Sequence, residues 1–176
     1  KKSGAIQRRQ VGRFSGAYTK NLIEEATAFF RNRTELKKDR LKFKGELINY
    51  LNEQASNGVS VKLNDVENIA RKYFPKDIDG SIDKLAKELI EHLNSEDIGV
   101  PVEFPPNKSE IKRHTHVKYS SDNWQLLFDR NSLGISANAE LRYVASNGQL
   151  VINNLPHELR AIIESELKEK GLINES

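Results

Sequence analysis

The amino-acid sequence predicts an α+β protein, in which an N-terminal helical region is followed by a small antiparallel sheet of two hairpins and a closing C-terminal helix. Two observations carry this prediction. Up to about residue 94, apolar residues recur every three or four positions, which is the spacing of one helix face. After the proline-punctuated segment 99–106, β-prone runs alternate with turn residues before a last helical pattern.

The first half of the chain is predicted to form four helices. Each has an apolar stripe at helical spacing. Thr19 is a plausible N-cap for the first helix, Gly58 provides a stop after the second, and Pro75 ends the third. The predicted helices span residues 19–33, 35–56, 64–74 and 80–94.

The second half is predicted to contain two hairpins. Residues 121–123 separate two β-prone runs, and Ser146-Asn147-Gly148 separates two more. Asn-Gly between such runs is a strong hairpin signal because both residues tolerate a positive φ. The predicted strands span residues 115–120, 124–129, 141–145 and 149–153.

A last helix is predicted from Pro156 to about Lys170. Proline is favoured at the first position of a helix, and Gly171 supplies the stop. Its apolar stripe is expected to face inward. That stripe consists of Leu159, Ile162, Ile163 and Leu167.

Residues 1–18 are expected to form a basic arm, or the remnant of a missing N-terminal region. A helical subdomain over residues 19–98 and a sheet with its helix over residues 99–176 are expected to pack as one unit. Segment 99–106 is either a linker or a structured crossing loop. Because the chain begins with Lys1 and contains no methionine, we expect a fragment of a longer protein.

Composition excludes several classes of protein. The 176 residues include no cysteine, which excludes a disulfide framework, a thiolate zinc site and a cysteine nucleophile. No run approaches the roughly 20 apolar residues that span a bilayer. The phosphate-binding loop, the dinucleotide fingerprint and the nucleophile elbow are all missing from the sequence. We therefore predict no catalytic residues, no cofactor and no membrane partner.

Two patterns imitate metal sites without completing one. His114 and His116 would share one face of a predicted strand, but no third ligand lies nearby in sequence. The acidic run from Asp77 to Glu88 approximates a calcium loop, but its glycine stands at the fourth position instead of the sixth. We therefore predict no metal site.

The charge distribution points to a polyanion partner. A formal net charge of +3 conceals +9 over residues 1–44 and −5 over residues 45–100. Because DNA phosphates require only positive charge within reach, scattered basic side chains suffice for sequence-independent binding. The alternative is a solvated face with no partner. The predicted DNA-binding residues are Arg8, Arg9, Arg13, Arg31, Arg33, Lys37, Lys38, Lys42, Lys44, Lys112, Arg113 and Lys118.

Two segments carry a family resemblance. Residues 124–134 contain Phe128-Asp129-Arg130 followed by a Leu-Gly turn, and residues 150–160 contain Asn154-Leu155-Pro156 before a helix. Over most of residues 20–170, the chain resembles the C-terminal portion of bacterial nucleoid-associated proteins of the NdpA/YejK type. The resemblance implies a cytoplasmic protein of the nucleoid that binds double-stranded DNA without strong sequence preference. It also implies a partnership with type II topoisomerases, and neither enzymatic activity nor a cofactor.

Two functions remain open from the sequence. The chain is either a DNA-binding module that uses its basic residues, or a protein-interaction module that docks a DNA enzyme such as a type II topoisomerase. In the second case, DNA binding lies mainly in the missing N-terminal region. Whether the chain forms a homodimer is also left open.

Overall fold

The computed structural model describes residues 3–76 and 80–174, with side chains from Phe14 onward. The chain divides into two compact units, which we call the first unit (Lys1–Thr115) and the second unit (His116–Ser176). The division falls between residues 115 and 116, so segment 99–106 belongs to the first unit.

The predicted α+β class is confirmed. Most of the described helices precede the two predicted hairpins along the chain, a short two-stranded sheet lies among these helices, and the last helix follows the hairpins. A 3-10 turn, Lys37–Asp39, precedes the second helix. In the described residues the helices are α1 (Ser3–Arg31), α2 (Arg40–Asn57), α3 (Leu63–Arg71), α4 (Ser81–Leu93), α5 (Lys108–Thr115) and α6 (His157–Glu169).

Both predicted hairpins are present, but they belong to separate sheets. The hairpin β3–β4 stands alone, whereas β6–β7 forms a three-stranded sheet in which β5 runs parallel to β6. Gly148 has a φ of +67° in the β6–β7 turn, but Asn147 does not have a positive φ, so residues 145–148 form a longer loop than the two-residue turn that Asn-Gly favours. The strands are β1 (Val61–Lys62), β2 (Glu103–Phe104), β3 (His116–Ser120), β4 (Gln125–Asp129), β5 (Leu133–Gly134), β6 (Leu141–Val144) and β7 (Gln149–Ile152).

Helix α1 begins at Ser3, well before the predicted start, so Thr19 lies inside the helix and does not cap it. Thr19 is fully buried, and its hydroxyl accepts a hydrogen bond from the Asn107 N–H at 2.9 Å. Gly16 faces the same segment, where a Cβ would make an ordinary van der Waals contact of 3.6 Å with the Asn107 side-chain nitrogen. Gly16, from the predicted arm, and Thr19, the predicted N-cap, therefore both lie where another helix docks.

That docked helix is α5, and it corrects the strand predicted to begin at Thr115, within the basic stretch 112–118. The Asn107 side chain accepts a hydrogen bond from the Glu110 N–H at 3.1 Å, which is the bond an N-cap makes. Helix α5 therefore continues through Thr115, and β3 starts only at His116. His114 and His116 consequently do not share a strand face.

The first unit contains an extensive hydrophobic core centred on three aromatic rings. Phe30 and Phe43 stack in parallel with centroids 4.0 Å apart, and Phe74 lies 5.7 Å from Phe30 on centroids. These rings join α1, α2 and the segment after α3. Val100 and Phe104 are buried in the same core, so segment 99–106 is a structured crossing and not a linker.

The second unit is organised differently. Among its described residues, only Leu141 is a buried apolar side chain. The prediction that the apolar stripe of α6 faces inward is wrong, because Leu159 and Ile163 are each 40% exposed and Ile162 is 61% exposed. Helical spacing determines which residues share a face, but it does not determine what covers that face.

Replacement of Thr19 by valine tests the docking of α5. The variant keeps the shape of the side chain but leaves the Asn107 N–H without its acceptor, so we expect the free energy of unfolding to fall by about 1–3 kcal/mol. Chemical denaturation followed by circular dichroism measures the change.

Thr27→Val is the matched control. The Thr27 hydroxyl is buried on the same helix and has no hydrogen-bond partner among the described residues, so its loss should be neutral or stabilising. Equal destabilisation by both variants would contradict a specific role for the Thr19 bond.

Candidate nucleic-acid interface

Helix α5 brings part of a second basic cluster, residues 112–118, onto the same unit as the first basic cluster, residues 1–44. It packs against both α1 and α2, which carry the first cluster. Arg31 of α1, Lys44 of α2 and His114 of α5 line one cleft of about 350 Å³, together with Glu24 and Glu25. We call this the junction cleft. Parts of the two clusters, some 70 residues apart in sequence, therefore lie in one unit, and His114 is the residue of stretch 112–118 that lines this cleft.

A second cleft of about 510 Å³ collects four lysines from two segments. Lys38 and Lys42 come from the 3-10 turn and the start of α2, and Lys72 and Lys76 come from the segment after α3. We call this the lysine cleft. Sequence reasoning missed the latter two because they lie in the net acidic stretch 45–100, and only the fold brings them beside the basic front.

The lysines of α2 do not form one surface. Lys42 lines the lysine cleft, whereas Lys44 lines the junction cleft. Residues two positions apart on a helix differ in direction by about 200°, so Lys42 and Lys44 point to nearly opposite sides of α2. Lys37, which lies in the 3-10 turn, is exposed. The predicted residues are therefore distributed over at least two faces.

Arg33 is engaged within the protein. Its guanidinium lies 3.5 Å from the centroid of the Phe29 ring and 3.0 Å from a carboxylate oxygen of Glu88. These contacts fix the end of α1 against α4, since a guanidinium binds both an aromatic face and a carboxylate. Arg33 therefore has a structural role.

The remaining predicted residues lie elsewhere. Lys112 and Arg113 are exposed on α5, where Arg113 pairs with Glu110 at 2.7 Å. Lys118 lies on β3 in the second unit. The side chains of Arg8, Arg9 and Arg13 are outside the described part of the chain.

Glu46 of α2 organises one rim of the lysine cleft. It accepts hydrogen bonds from the Lys72 ammonium and from the Tyr73 hydroxyl, the latter at 2.6 Å. The bond from Lys72, followed by the bond from Tyr73, lowers the pKa of Glu46. The bond to Glu46 raises the pKa of Tyr73 to about 12, so Tyr73 remains a donor at neutral pH.

Other kinds of site are not found in the described chain. Its His, Asp and Glu side chains form no group of three that could hold a metal ion. Asp77 and Asp79 of the predicted acidic run lie outside the described residues. Residues 3–76 and 80–174 also contain no helix long and apolar enough to cross a bilayer.

The Glu46 interactions predict an acid-sensitive contribution to stability. Because the pKa of Glu46 is lowered on folding, its carboxylate stabilises the folded state above pH 4.5, its unfolded value, and this stabilisation is lost as the pH falls through the folded pKa. The difference in free energy of unfolding between the protein and Glu46→Gln should therefore shrink on acidification.

Urea denaturation at several pH values measures this difference. Glu53→Gln, at an exposed position of the same helix, is the control. A wild-type advantage over Glu46→Gln that does not change with pH would argue against the interaction.

Comparison with known proteins identifies the family of the chain. No curated protein sequence is significantly similar to the chain. The family model described as nucleoid-associated protein YejK matches residues 12–160, which is most of the chain and includes parts of both units. This match confirms the resemblance seen in segments 124–134 and 150–160. The chain therefore belongs to the YejK family of nucleoid-associated proteins.

Proposed function

We propose that the protein binds double-stranded DNA in the bacterial nucleoid, without strong sequence preference, through phosphate contacts made by the first unit. The observation that carries the proposal is the packing of α5, which bears Lys112 and Arg113, on α1 and α2, which bear basic residues of the front segment 1–44. The first unit has 22 Lys and Arg against 17 Asp and Glu, whereas the second has 6 against 8. Charge therefore favours the first unit as the DNA contact.

To contact a DNA phosphate, a basic side chain must be long enough to reach it, and its exact position on the protein matters less. Lysine has a long flexible stem with three donors at its end, and arginine binds a phosphate with two parallel hydrogen bonds. Lys37, Lys38 and Lys112 are exposed and meet this requirement. Such contacts fix a protein on the duplex without reading its bases, which accounts for the proposed lack of sequence preference. The proposal includes no catalytic step and no cofactor.

Salt dependence is the first test. We expect unrelated duplexes to bind with similar affinity, and the affinity to fall steeply with salt because each phosphate contact releases counterions. The slope of log K against log salt should be about −0.9 for each contact. Fluorescence anisotropy with labelled duplexes measures both quantities.

Charge reversal locates the surface. Changing Lys37, Lys38, Lys42 and Lys44 to glutamate reverses the charge on both of the faces they occupy and should abolish binding if either face contacts the DNA, since repulsion replaces attraction. Lys84→Glu with Lys87→Glu, on the exposed side of α4, controls for a general charge effect. Little duplex binding by the unmodified protein at low salt would refute the proposal, and unchanged binding by the fourfold variant would move the site elsewhere.

A second candidate function is the docking of a type II topoisomerase by the second unit. The observation that favours it is the exposed apolar surface of that unit. Tyr119 and Trp124 lie 5.2 Å apart on centroids at the tip of the β3–β4 hairpin, and both are more than half exposed. Large exposed apolar patches are typical of protein-interaction sites, and Tyr and Trp are enriched in their centres. In this reading DNA contact lies mainly outside this chain.

Substitutions on α6 test the docking function. Ile162→Glu places a charge on the exposed apolar stripe and should weaken binding to a purified type II topoisomerase by about tenfold or more, because a central apolar contact contributes about 2 kcal/mol. Ala161→Glu adds the same charge on the opposite side of the helix and should have little effect. Equal binding by both variants would exclude α6, and self-association detected by light scattering would instead indicate a homodimer.

A further inference from the structure

We propose that the lysine cleft, lined by Lys38, Lys42, Lys72 and Lys76, is a built binding site for successive backbone phosphates of one DNA strand. This inference rests on the proposed DNA-binding function and assigns it a specific site. Lys72 and Lys76 have no place in the basic clusters of the sequence, so the site exists only in the folded protein.

Both rims of the cleft stand on the hydrophobic core. The rim that carries Lys38 and Lys42 lies between Leu36 and Phe43, and both of these side chains are completely buried. The rim that carries Lys72 and Lys76 is held by Phe74, which is 3% exposed and stacks with Phe30. The backbones from which the lysines project are therefore fixed relative to one another.

One ammonium of the cleft is positioned before any ligand arrives. Glu46 accepts a hydrogen bond from Lys72 and one from Tyr73, and Tyr73 in turn packs edge-on against Phe43. This organisation distinguishes the cleft from lysines scattered over a solvated face.

The remaining charges leave the cleft attractive to an anion. Four lysines line the cleft with Glu35 and Asp39, and Glu46 pairs with Lys72 beside it, so the lysines still outnumber the carboxylates by one. The ammonium of Lys42 lies 3.8 Å from Asp39, which is longer than a hydrogen bond, and its side chain is 75% exposed. Lys42 can therefore turn to a phosphate without breaking a strong interaction.

The size of the cleft favours an extended ligand. Its volume of about 510 Å³ falls within the range of pockets that hold small organic molecules, and is larger than a single phosphate ion requires. Because the lysines come from two segments of the chain, a strand of nucleic acid in the cleft would meet ammonium groups from both. The chemistry shared by all candidate ligands is the phosphate group, and a free nucleotide is the alternative source.

The test compares two double variants of the full chain. Lys72→Gln with Lys76→Gln removes two charges from the cleft, and Lys84→Gln with Lys87→Gln removes two exposed charges from α4. In anisotropy titrations with a labelled duplex, the cleft variant should reduce the magnitude of the salt slope by about 2 and weaken binding by about tenfold or more at low salt. The α4 variant should change both quantities much less.

Glu46→Gln should change the duplex affinity in the direction opposite to that of the cleft variant. The substitution removes a negative charge next to the cleft and releases Lys72 from its ion pair, so we expect duplex affinity to rise by about threefold and the salt slope to steepen. A variant that merely damaged the fold would not bind DNA more tightly. Weaker binding by this variant would count against the cleft.

The binding results separate the cleft assignment from the proposed function. Equal binding by the cleft and α4 variants would overturn the cleft assignment and leave the proposed function standing. No duplex binding by the unmodified protein at low salt would overturn both. Tight binding of ATP that is lost in the cleft variant, without a matching loss of duplex binding, would identify a free-nucleotide site and overturn the assignment to DNA.

Discussion

The stack of Phe30, Phe43 and Phe74 is the interaction on which the arrangement of the first unit depends. It joins α1 to α2 and to the segment after α3 in one dry contact. Aromatic rings contribute large buried areas and a preferred geometry, so they fix both the distance and the direction of the segments they join. Both segments that carry the lysines of the cleft are anchored by this stack, through Phe43 and Phe74.

Polar contacts then complete what the core leaves undetermined. The hydrogen bond that the Asn107 N–H donates to Thr19 attaches α5 to α1. The bond that the Asn107 side chain accepts from the Glu110 N–H caps the start of α5, which carries part of the second basic cluster. Glu46 similarly holds Lys72 and Tyr73. In both cases a partly buried polar group is satisfied by a residue far away in sequence, and a basic side chain is positioned as a result.

Local patterns in the sequence were sufficient for most of the elements and for the family. The Asn147-Gly148 turn and the stops at Gly58 and Gly171 are present as predicted, because a positive φ is a local requirement that glycine meets. The start of α1, the identity of α5 and the membership of Lys72 in a basic cleft could not be predicted in this way. Each depends on contacts between distant segments, which neither periodicity nor summed charge records. Asn107 followed by Glu110 was the one local signal that would have indicated α5.

The near absence of buried side chains in the second unit has a consequence for its internal motions. A region with few buried apolar contacts opens locally at a small cost in free energy, whereas a region with a dense core opens only with the whole fold. Backbone amides of β6 and β7 should therefore exchange with solvent deuterium much earlier than those of α2, whose inner face is buried. A ligand that covers the exposed apolar side chains would slow that exchange, and the protected amides would report where it lies.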